Sequence, residues 1–322
     1  MHMKNWIAAA CGTALSIVCV TVNAQAYPTR PIRMVVPYAP GGPTDTVARI
    51  VGQKLSERVG VTVVVDNRPG GTGTLGGQIV ARAAPDGHTL LLCSTSTIVT
   101  SPILMPNPPY DGRRDFAPIT LVVSLPYLLL VNPASGIGSV KELVDAARAK
   151  PGAFNYGSAG VGSTSHLAGA LLGKMAGIDI AHVPYRGSAP AAIDLIGGRL
   201  QFMFEATAGA MPHVKSGRLR ALGVSTLKRI ASLPELSTIS EAGVAGYEMS
   251  VWFGICAPGA TPPAVVEQLN REIITAIHAP DAREHLSSIG AELVGSSSQE
   301  LGALIEAEIP RVVKLLREIG VK

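Results

Sequence analysis

Two stretches decide the fold, because in each an apolar strand, a glycine-rich polar turn and a helix follow one another. Residues 35–55 read VVPYAPGGPTDTVARIVGQKL, and residues 154–176 read FNYGSAGVGSTSHLAGALLGKMA. Along the first stretch, apolar residues repeat at the spacing of one helix face: Val47, Ile50, Val51 and Leu55. This spacing predicts a helix from about Thr44. A strand that turns directly into a covering helix is the repeating unit of α/β folds.

The alternation of strands and helices continues outward from these two stretches. After a strand at Val35–Val36, the predicted strands lie at 61–66, 89–93, 116–123, 127–132, 154–156, 180–183, 201–204, 219–224 and 249–257. The predicted helices after the first lie at 75–84, 139–150, 164–176, 189–196, 207–216, 263–278, 281–289 and 298–319. Only helices are expected after residue 257. The pattern predicts an α/β fold whose parallel sheets are covered by helices on both faces.

The length of 322 residues predicts two lobes rather than one. The extended stretches at 118–132 and 248–258 lack helical spacing, so we expect the chain to cross between the lobes there. This divides the mature chain into a discontinuous domain, 27–125 plus 251–322, and a continuous domain, 126–250. The fold class is thus two doubly wound α/β lobes, with strand carboxyl ends and helix N-termini lining the cleft between them.

The composition allows a large packed core and excludes several classes of partner. Apolar residues make up 47% of the chain and charged residues 16%, which excludes a disordered protein. The formal charge is only +4, and aromatic residues are 4% of the chain. This balance gives neither the basic surface nor the stacking side chains that a nucleic-acid-binding protein needs.

The N-terminus carries the pattern of a secretory signal peptide. Trp6–Val22 is an almost unbroken apolar run, and small residues stand at the two positions that signal peptidase reads before a cut after Ala26. We therefore expect residues 1–26 to be removed on export. A retained membrane anchor and lipoprotein processing at Cys11 or Cys19 are the weaker alternatives, because the first lacks a flanking charge and the second lacks a suitable site.

Two cysteines, Cys93 and Cys256, remain in the mature chain, and each lies within an apolar strand-like run. Two buried thiols are the simpler interpretation. A disulfide between neighbouring strands is the alternative in an exported protein.

A glycine motif at Gly71–Gly76 has the literal dinucleotide pattern G-x-G-x-x-G, between a strand and a helix. However, Asn67–Gly70 separates the strand from the glycines, so the tight turn that points a helix at a pyrophosphate is absent. The next strand ends in Cys93–Ser96 rather than in the acidic residue that a ribose requires. We interpret the motif as a close backbone approach, not as a cofactor site.

Signatures of hydrolases and metal sites are also missing. The serines Ser158, Ser163 and Ser165 do not stand in G-x-S-x-G. The histidines and the two mature cysteines do not follow the spacings of metal ligands. The sequence therefore predicts no cofactor, no metal and no catalytic residue.

Two turns of the same kind are the strongest functional signal. Residues 37–45 and residues 157–166 each place glycines and hydroxyl side chains directly before a helix. Glycines let backbone N–H groups approach a ligand, and the helix start adds a partial positive charge of its own. Two such turns facing each other across a cleft predict a binding site for a carboxylate.

Other polar residues beside these turns carry less certain roles. Asp45 is expected to cap its helix, because it would repel a carboxylate. His166 is either a neutral donor to the ligand or an ordinary helix residue. Tyr185 and Arg186 end a strand near the cleft mouth, where Arg186 reaches the ligand or remains solvated. Glu205 either contacts the cleft or caps a helix.

Many ordered blocks resemble one protein family from Tyr27 to the C-terminus. The blocks are Tyr27-Pro28, Pro31-Ile32-Arg33, Val36-Pro37, Pro40-Gly41-Gly42, Asp45, Asn67-Arg68-Pro69-Gly70, Ala84-Pro85-Asp86-Gly87, Thr89-Leu90, Tyr156-Gly157-Ser158, Gly160, Gly162, His166-Leu167, His182-Val183-Pro184-Tyr185-Arg186-Gly187, Gly217, Leu219-Arg220-Ala221-Leu222, Leu233-Pro234, Glu241-Ala242-Gly243, Trp252, Gly254 and Ala257-Pro258. The chain is therefore similar to the Bug/TctC family, the extracytoplasmic solute receptors of tripartite tricarboxylate transporters.

The resemblance implies a type II periplasmic-binding fold that closes on a small organic anion. It implies that the loops at 40–45 and 158–166 hold one carboxylate, and that the rest of the ligand faces Ser94–Thr97, 185–188 and 204–207. The candidate ligand-binding residues are Tyr38, Pro40, Gly41, Gly42, Thr44, Asp45, Ser94, Thr95, Ser96, Ser158, Ala159, Gly160, Gly162, Ser163, Thr164, His166, Tyr185, Arg186 and Glu205. The chain departs from the family pattern at Thr72 and His88, and neither is expected to touch the binding loops.

The leading hypothesis is a monomeric periplasmic receptor that captures a dicarboxylate, tricarboxylate or aromatic carboxylate and passes it to the membrane permease subunits of such a transporter. One alternative is a secreted α/β hydrolase or isomerase. It would need Ser163 or Ser165 to be paired with His166 or His182 in the cleft. Another is a periplasmic sensor that signals to a membrane kinase.

Overall fold

The computed structural model describes residues 27–321, so the predicted signal peptide at 1–26 lies outside the described residues. The strands are β1 (Ile32–Val36), β2 (Val63–Asn67), β3 (Thr89–Cys93), β4 (Phe116–Val131), β5 (Phe154–Ser158), β6 (Ile180–Pro184), β7 (Phe202–Ala206), β8 (Arg220–Val224), β9 (Ser250–Pro258) and β10 (Glu292–Leu293). The helices are α1 (Pro43–Val59), α2 (Thr74–Ala81), α3 (Ser101–Leu104), α4 (Val140–Ala149), α5 (Thr164–Ala176), α6 (Ser188–Ile196), α7 (Thr207–Lys215), α8 (Pro263–Ile277), α9 (Pro280–Ser288) and α10 (Ser298–Ile319). Within residues 27–321, no helix combines the length and the apolarity needed to cross a bilayer.

The strands follow the order β2-β1-β3-β9-β4-β7-β5-β6, with β10 and β8 also paired to β4. Parallel pairing holds β1 to β2 and β3, and it holds β5 to β6 and β7. The strands β4 and β9 run antiparallel to their neighbours. The prediction of an α/β fold is confirmed, but the expectation of purely parallel sheets is wrong. The two strands at which we expected the chain to cross between lobes are the ones that introduce antiparallel pairing.

Strand β4 is a single strand of 16 residues, whereas the sequence predicted two strands with a break between them. Its first part, up to Pro126, pairs with β9, and its last part, from Tyr127, pairs with β7 and β8. Proline cannot donate to a ladder, which is why it suggests a break in the sequence. Here it stands at the change of partner, and the strand continues through it. The division into 27–125 plus 251–322 and 126–250 stays a prediction.

Most predicted elements are confirmed, and the errors have local causes. The helices predicted at 164–176 and 298–319 have those bounds in the structure. The expectation of helices alone after residue 257 is wrong, because the two-residue strand Glu292–Leu293 pairs with β4. A strand this short has no periodicity that a sequence could display.

Helix α1 shows how the sequence pattern becomes a core. Val47, Val51 and Leu55 are fully buried, and Ile50, at the edge of the predicted face, is half-buried. The helix packs against β2 and α8. Burying each such side chain stabilises the fold by roughly 1.5–3 kcal/mol.

Replacing Leu55 with alanine is expected to lower the free energy of unfolding by roughly 2–5 kcal/mol. The side chain is fully buried, so removing its methyl groups creates a cavity in the core. Urea unfolding followed by circular dichroism measures this loss. Gln53→Ala, at an exposed position of the same helix, is the matched control and is expected to change the value by less than about 0.5 kcal/mol. Equal losses in the two variants would contradict the assignment of the buried face.

Candidate functional site

A narrow, partly open cavity lies where the carboxyl ends of the strands meet the starts of several helices. Its lining residues are Tyr38, Ala39, Gly42, Pro43, Thr44, Ser94, Ser96, Tyr127, Ala159, Ser163, Thr164, Ser165, Ser188, Ala206, Val251 and Phe253. None of these lining side chains carries a formal charge, and many carry hydroxyl groups. The cavity therefore offers hydrogen-bond donors without a cation.

Four helices begin at this cavity. The N-cap residues Gly42, Ser163 and Ala206 of α1, α5 and α7 line it, as does Ser188, the first residue of α6. The first N–H groups of a helix have no partner within the helix, and they carry a partial positive charge. Their convergence gives the cavity a positive electrostatic character that its side chains alone do not supply.

The first loop is held by Asp45. Its carboxylate accepts a hydrogen bond from the Gly41 N–H at 3.0 Å and pairs with Arg49 at 3.0 Å. Burial raises the pKa of Asp45, but the hydrogen bonds from Arg49 and Gly41 more than offset this, so the pKa lies below its usual value. Asp45 thus stays ionised and fixes the loop, in agreement with the capping role expected from the sequence.

Side chains of the second loop form hydrogen bonds with many of the loop's own backbone N–H and C=O groups. The N–H of Ala159 donates to Ser165 Oγ at 3.0 Å, and the N–H of Gly162 donates to His166 Nδ1 at 3.0 Å. The Ser163 hydroxyl accepts from the His166 N–H and donates to the Gly160 carbonyl. These amides are therefore engaged within the loop. The Thr164 and His166 N–H groups in the first turn of α5 are likewise engaged, so the donors left on this side of the cavity are mainly hydroxyl groups.

Contacts across the cleft hold the two lobes together. The Ala39 N–H donates to the Arg186 carbonyl at 3.2 Å, and the Thr164 N–H donates to Ser96 Oγ at 3.1 Å. In addition, the Thr72 hydroxyl donates to the Val161 carbonyl at 2.7 Å. The expectation that Thr72 would not touch a binding loop is therefore wrong. These hydrogen bonds join the two sides of the cavity.

The structure brings only part of the predicted set to the cavity. The candidate residues that line it are Tyr38, Gly42, Thr44, Ser94, Ser96, Ala159, Ser163 and Thr164. A second groove shares Tyr38 and Ala159 with the cavity and opens at its mouth. The candidates that line this groove are Gly160, Tyr185 and Arg186. Arg186 is exposed there, so it stands at the entrance rather than inside.

The remaining candidates do not line the cavity. They are Pro40, Gly41, Asp45, Thr95, Ser158, Gly162, His166 and Glu205. Pro40 and Gly41 are exposed, and the Thr95 hydroxyl donates instead to Glu308 of α10 at 3.0 Å. The turn after β3 is helical, so successive hydroxyl side chains point in different directions. The sequence does not show which of them faces the cavity and which faces a helix.

His166 lies behind the second loop rather than in the cavity. Its ring stacks on His182 at 3.9 Å between centroids. Burial lowers the pKa of both histidines to about 4, and for His182 the neighbouring His166 contributes as well. His166 therefore stays neutral and positions the loop through the Gly162 N–H.

The serine–histidine pairs expected for a hydrolase are not formed. The ring of His182 contacts Ser158 at 2.6 Å, and the Ser158 side chain is fully buried. Ser163 and Ser165 contact each other and the loop backbone instead. A nucleophile and its base must both reach the substrate. The structure therefore forms none of the serine–histidine pairs that the hydrolase hypothesis named.

Several lining residues were not predicted from the sequence. Tyr127, Val251 and Phe253 come from β4 and β9, the long strands that connect the two halves of the sheet. Ser188 and Ala206 also line the cavity, and they lie in the ranges 185–188 and 204–207 that the family resemblance implied face the ligand. Burial raises the pKa values of Tyr38 and Tyr127, so both phenols remain protonated donors at neutral pH.

Glu205 is a buried carboxyl group directly behind Ser188. One carboxyl oxygen accepts a hydrogen bond from the Ser188 hydroxyl at 2.6 Å, and the other, Oε2, has no partner among the described residues. Burial raises the pKa of Glu205 to about 7, although the hydrogen bond from Ser188 opposes part of the rise. Glu205 therefore positions Ser188 and does not face the cavity itself.

Comparison with known proteins places this arrangement among transport receptors. Residues 47–321 match the model of the tripartite tricarboxylate transporter family receptor, TctC. The structure is similar to Rpa4515 of R. palustris solved with adipate, with a TM-score of 0.89, 37% identity, and coverage of 91% of this chain and 98% of that one.

Two further solved structures give the same result. The periplasmic binding protein BugD aligns with a TM-score of 0.88 and 36% identity, over 92% of this chain and 99% of its own. MatC of Rhodopseudomonas palustris, solved with bound malate, aligns with a TM-score of 0.85 and 31% identity, over 90% of this chain and 100% of its own. The two-lobed fold and the family resemblance expected from the sequence are confirmed.

Glu205 is expected to make the stability of the protein depend on pH. Its pKa is about 7 in the folded protein and about 4.5 for a fully hydrated glutamate, so between these pH values the folded protein holds a proton that the unfolded chain has released. Stability therefore falls as the pH rises through this window, by up to ~3 kcal/mol at 1.36 kcal/mol per pH unit.

Urea unfolding at pH 5 and pH 8 tests this expectation in the wild type and in Glu205→Gln. The variant keeps an acceptor for Ser188 but cannot titrate, so its loss of stability between the two pH values is expected to be smaller. Glu235→Gln, which removes an exposed carboxyl group, is the matched control. The same pH dependence in wild type and Glu205→Gln would contradict the assignment.

Proposed function

Since the chain belongs to the TctC family of tripartite tricarboxylate transporter receptors, we propose that its closed cleft captures a small dicarboxylate in the periplasm. The observation that carries the proposal is the uncharged, hydroxyl-rich cavity at which four helices begin. A carboxylate bound there exchanges water for hydroxyl groups and helix N–H groups. The adipate and malate bound by two similar proteins support a dicarboxylate as the ligand class.

The first carboxylate occupies the hydroxyl-lined cavity. Thr44 and Ser188 approach it from the starts of α1 and α6, and Thr164 from the start of α5. Each hydrogen bond to a charged group contributes roughly 1.5–3 kcal/mol, and each helix N-terminus roughly 0.3–1 kcal/mol. Four or five such hydrogen bonds, less the freedom that the ligand loses, are compatible with a micromolar dissociation constant, about −8 kcal/mol.

The second carboxylate extends toward the groove at the mouth. The cavity and the groove share Tyr38 and Ala159 as lining residues, and Arg186 stands exposed on the groove wall. A guanidinium group can bind a carboxylate through two parallel hydrogen bonds. A binding site with a single cation at one end favours a dicarboxylate. A tricarboxylate would place further negative charge in the uncharged cavity.

Binding stabilises the closed state because the ligand contacts both lobes. Ser96 and Thr164 meet across the cleft with 3.2 Å between their hydroxyl oxygens, so a carboxylate near them bridges the two sides. A ligand shifts a conformational equilibrium only as far as it binds one state better than the other. The closed receptor then presents the surface that membrane permease subunits recognise.

The receptor is exported to the periplasm and does not react with its ligand. We place a signal peptide at 1–26, cleaved after Ala26, from its apolar run and its small residues. The receptor acts as a monomer, binds no cofactor and leaves its ligand chemically unchanged. This last point is supported by the buried positions of Ser158 and His166, which remove them from the cavity.

Isothermal titration calorimetry with adipate and malate tests the ligand class. Binding of at least one of them at micromolar concentration is expected, and stabilisation by neutral sugars alone would contradict the proposal. Thr164→Val removes one hydroxyl without changing the shape of the side chain. It is expected to weaken binding roughly 10- to 150-fold, which corresponds to one hydrogen bond to a charged group.

Thr100→Val is the matched control for this measurement. The Thr100 hydroxyl is buried outside the cavity and has no partner within the described residues, so its removal is expected to leave the affinity unchanged. Equal affinities for wild type and Thr164→Val would contradict the placement of the carboxylate at the start of α5.

A further inference from the structure

The sulfur atoms of Cys93 and Cys256 meet in the sheet beneath the cavity. Their Sγ atoms are 2.9 Å apart, and both side chains are fully buried. Non-bonded carbon atoms keep about 3.5–4.0 Å between them, and sulfur is the larger atom. The two sulfurs are therefore closer than separate thiols pack in a protein core.

The strand register brings these two residues to the same face of the sheet. Strands β3 and β9 are antiparallel, with Leu91 opposite Cys256 and Cys93 opposite Gly254. Cys93 and Cys256 are thus diagonal neighbours on adjacent strands, positions that lie about 7–8 Å apart, and the 2.9 Å between their Sγ atoms shows that the two side chains turn toward each other. A disulfide has a sulfur–sulfur bond of about 2.03–2.05 Å and a Cα spacing below about 7 Å, so forming it brings the sulfur atoms about 1 Å closer and draws the two strands slightly together at this point.

We propose that Cys93 and Cys256 are joined by a disulfide in the exported protein. The inference rests on the proposed export, because disulfides persist in the bacterial periplasm and are rare in the cytosol. It does not depend on the identity of the ligand. It selects one of the two states that the sequence left open for this pair.

The bond forms by exchange with an external disulfide, either an oxidised dithiol protein of the envelope or glutathione disulfide. One cysteine thiolate attacks that disulfide to give a mixed disulfide, and the second cysteine thiolate then displaces the carrier. The two cysteines together lose two protons and two electrons, which the carrier takes up as it leaves as a reduced dithiol protein or as two molecules of glutathione. The balance is therefore complete.

This exchange takes place while the chain folds. Burial raises the pKa of the Cys256 thiol well above its usual value, and the neighbouring Cys93 adds to the rise. Since the thiolate is the reacting species, two buried thiols exchange poorly once the sheet has closed. The same burial protects the finished bond from reductants.

The link would fasten the floor of the binding cavity. It joins the end of β3, directly before Ser94 and Ser96, to the strand that carries Val251 and Phe253, and all four of these residues line the cavity. It also closes a covalent loop that contains the whole of β4 to β8. The cavity floor is thereby held in register while the lobes open and close.

Peptide mass spectrometry of the exported, full-length protein tests the inference. The protein is unfolded in the presence of a maleimide without reductant, digested and analysed, and a second sample is reduced first. We expect a linked pair of peptides joining Cys93 to Cys256 in the first sample and maleimide on both cysteines in the second. Maleimide on both cysteines in the unreduced sample would overturn the inference.

Two variants and one titration complete the design. Cys93→Ala and Cys256→Ala are each expected to leave the remaining cysteine open to maleimide without reduction. In the wild type, reduction is expected to lower the equilibrium constant for folding roughly 30- to 1,000-fold, the usual range for a native disulfide. An unchanged constant would also count against the bond. Adipate titration of the same sample tests the ligand separately, so a protein that binds adipate without the disulfide overturns only this inference.

Discussion

A cavity that excludes charged side chains must find its electrostatic attraction elsewhere, and here the starts of four helices supply it. A carboxylate leaving water loses several kcal/mol of hydration unless hydrogen bonds replace it. The N-caps of α1, α5 and α7 and the first residue of α6 face one point, together with a ring of hydroxyl groups. Donors of this kind suit many carboxylates, which fits a family whose similar members hold both adipate and malate.

The second loop contributes shape more than donors. Several of its amides donate to Ser165, His166 and Ser158 within the loop, so they are not available to a ligand. The stacked pair of neutral rings behind the loop fixes this geometry without adding charge. A loop ordered before binding loses little freedom on binding, and this raises affinity for the same number of contacts. The Thr72 hydroxyl adds a contact from the opposite lobe.

Closure depends on residues that the sequence separates widely. Ala39 meets Arg186, and Ser96 meets Thr164, through hydrogen bonds across the cavity. Glu205 supports Ser188 from behind with a carboxyl group that is itself fully buried. The site thus consists of residues that line the cavity and of residues behind them that fix their positions. Residue type alone does not show to which group a residue belongs.

Spacing, glycine and hydroxyl patterns act over a few residues, so the amino-acid sequence was enough to predict most elements, the turn-to-helix loops and the family resemblance. The bounds of α5 and the capping role of Asp45 are of this local kind. The tertiary fold was needed to show that β4 continues through Pro126, that His166 turns behind its loop and that Tyr127, Val251 and Phe253 reach the cavity. These outcomes depend on partners far along the chain, and a local pattern carries no record of which distant strand or helix a side chain will meet.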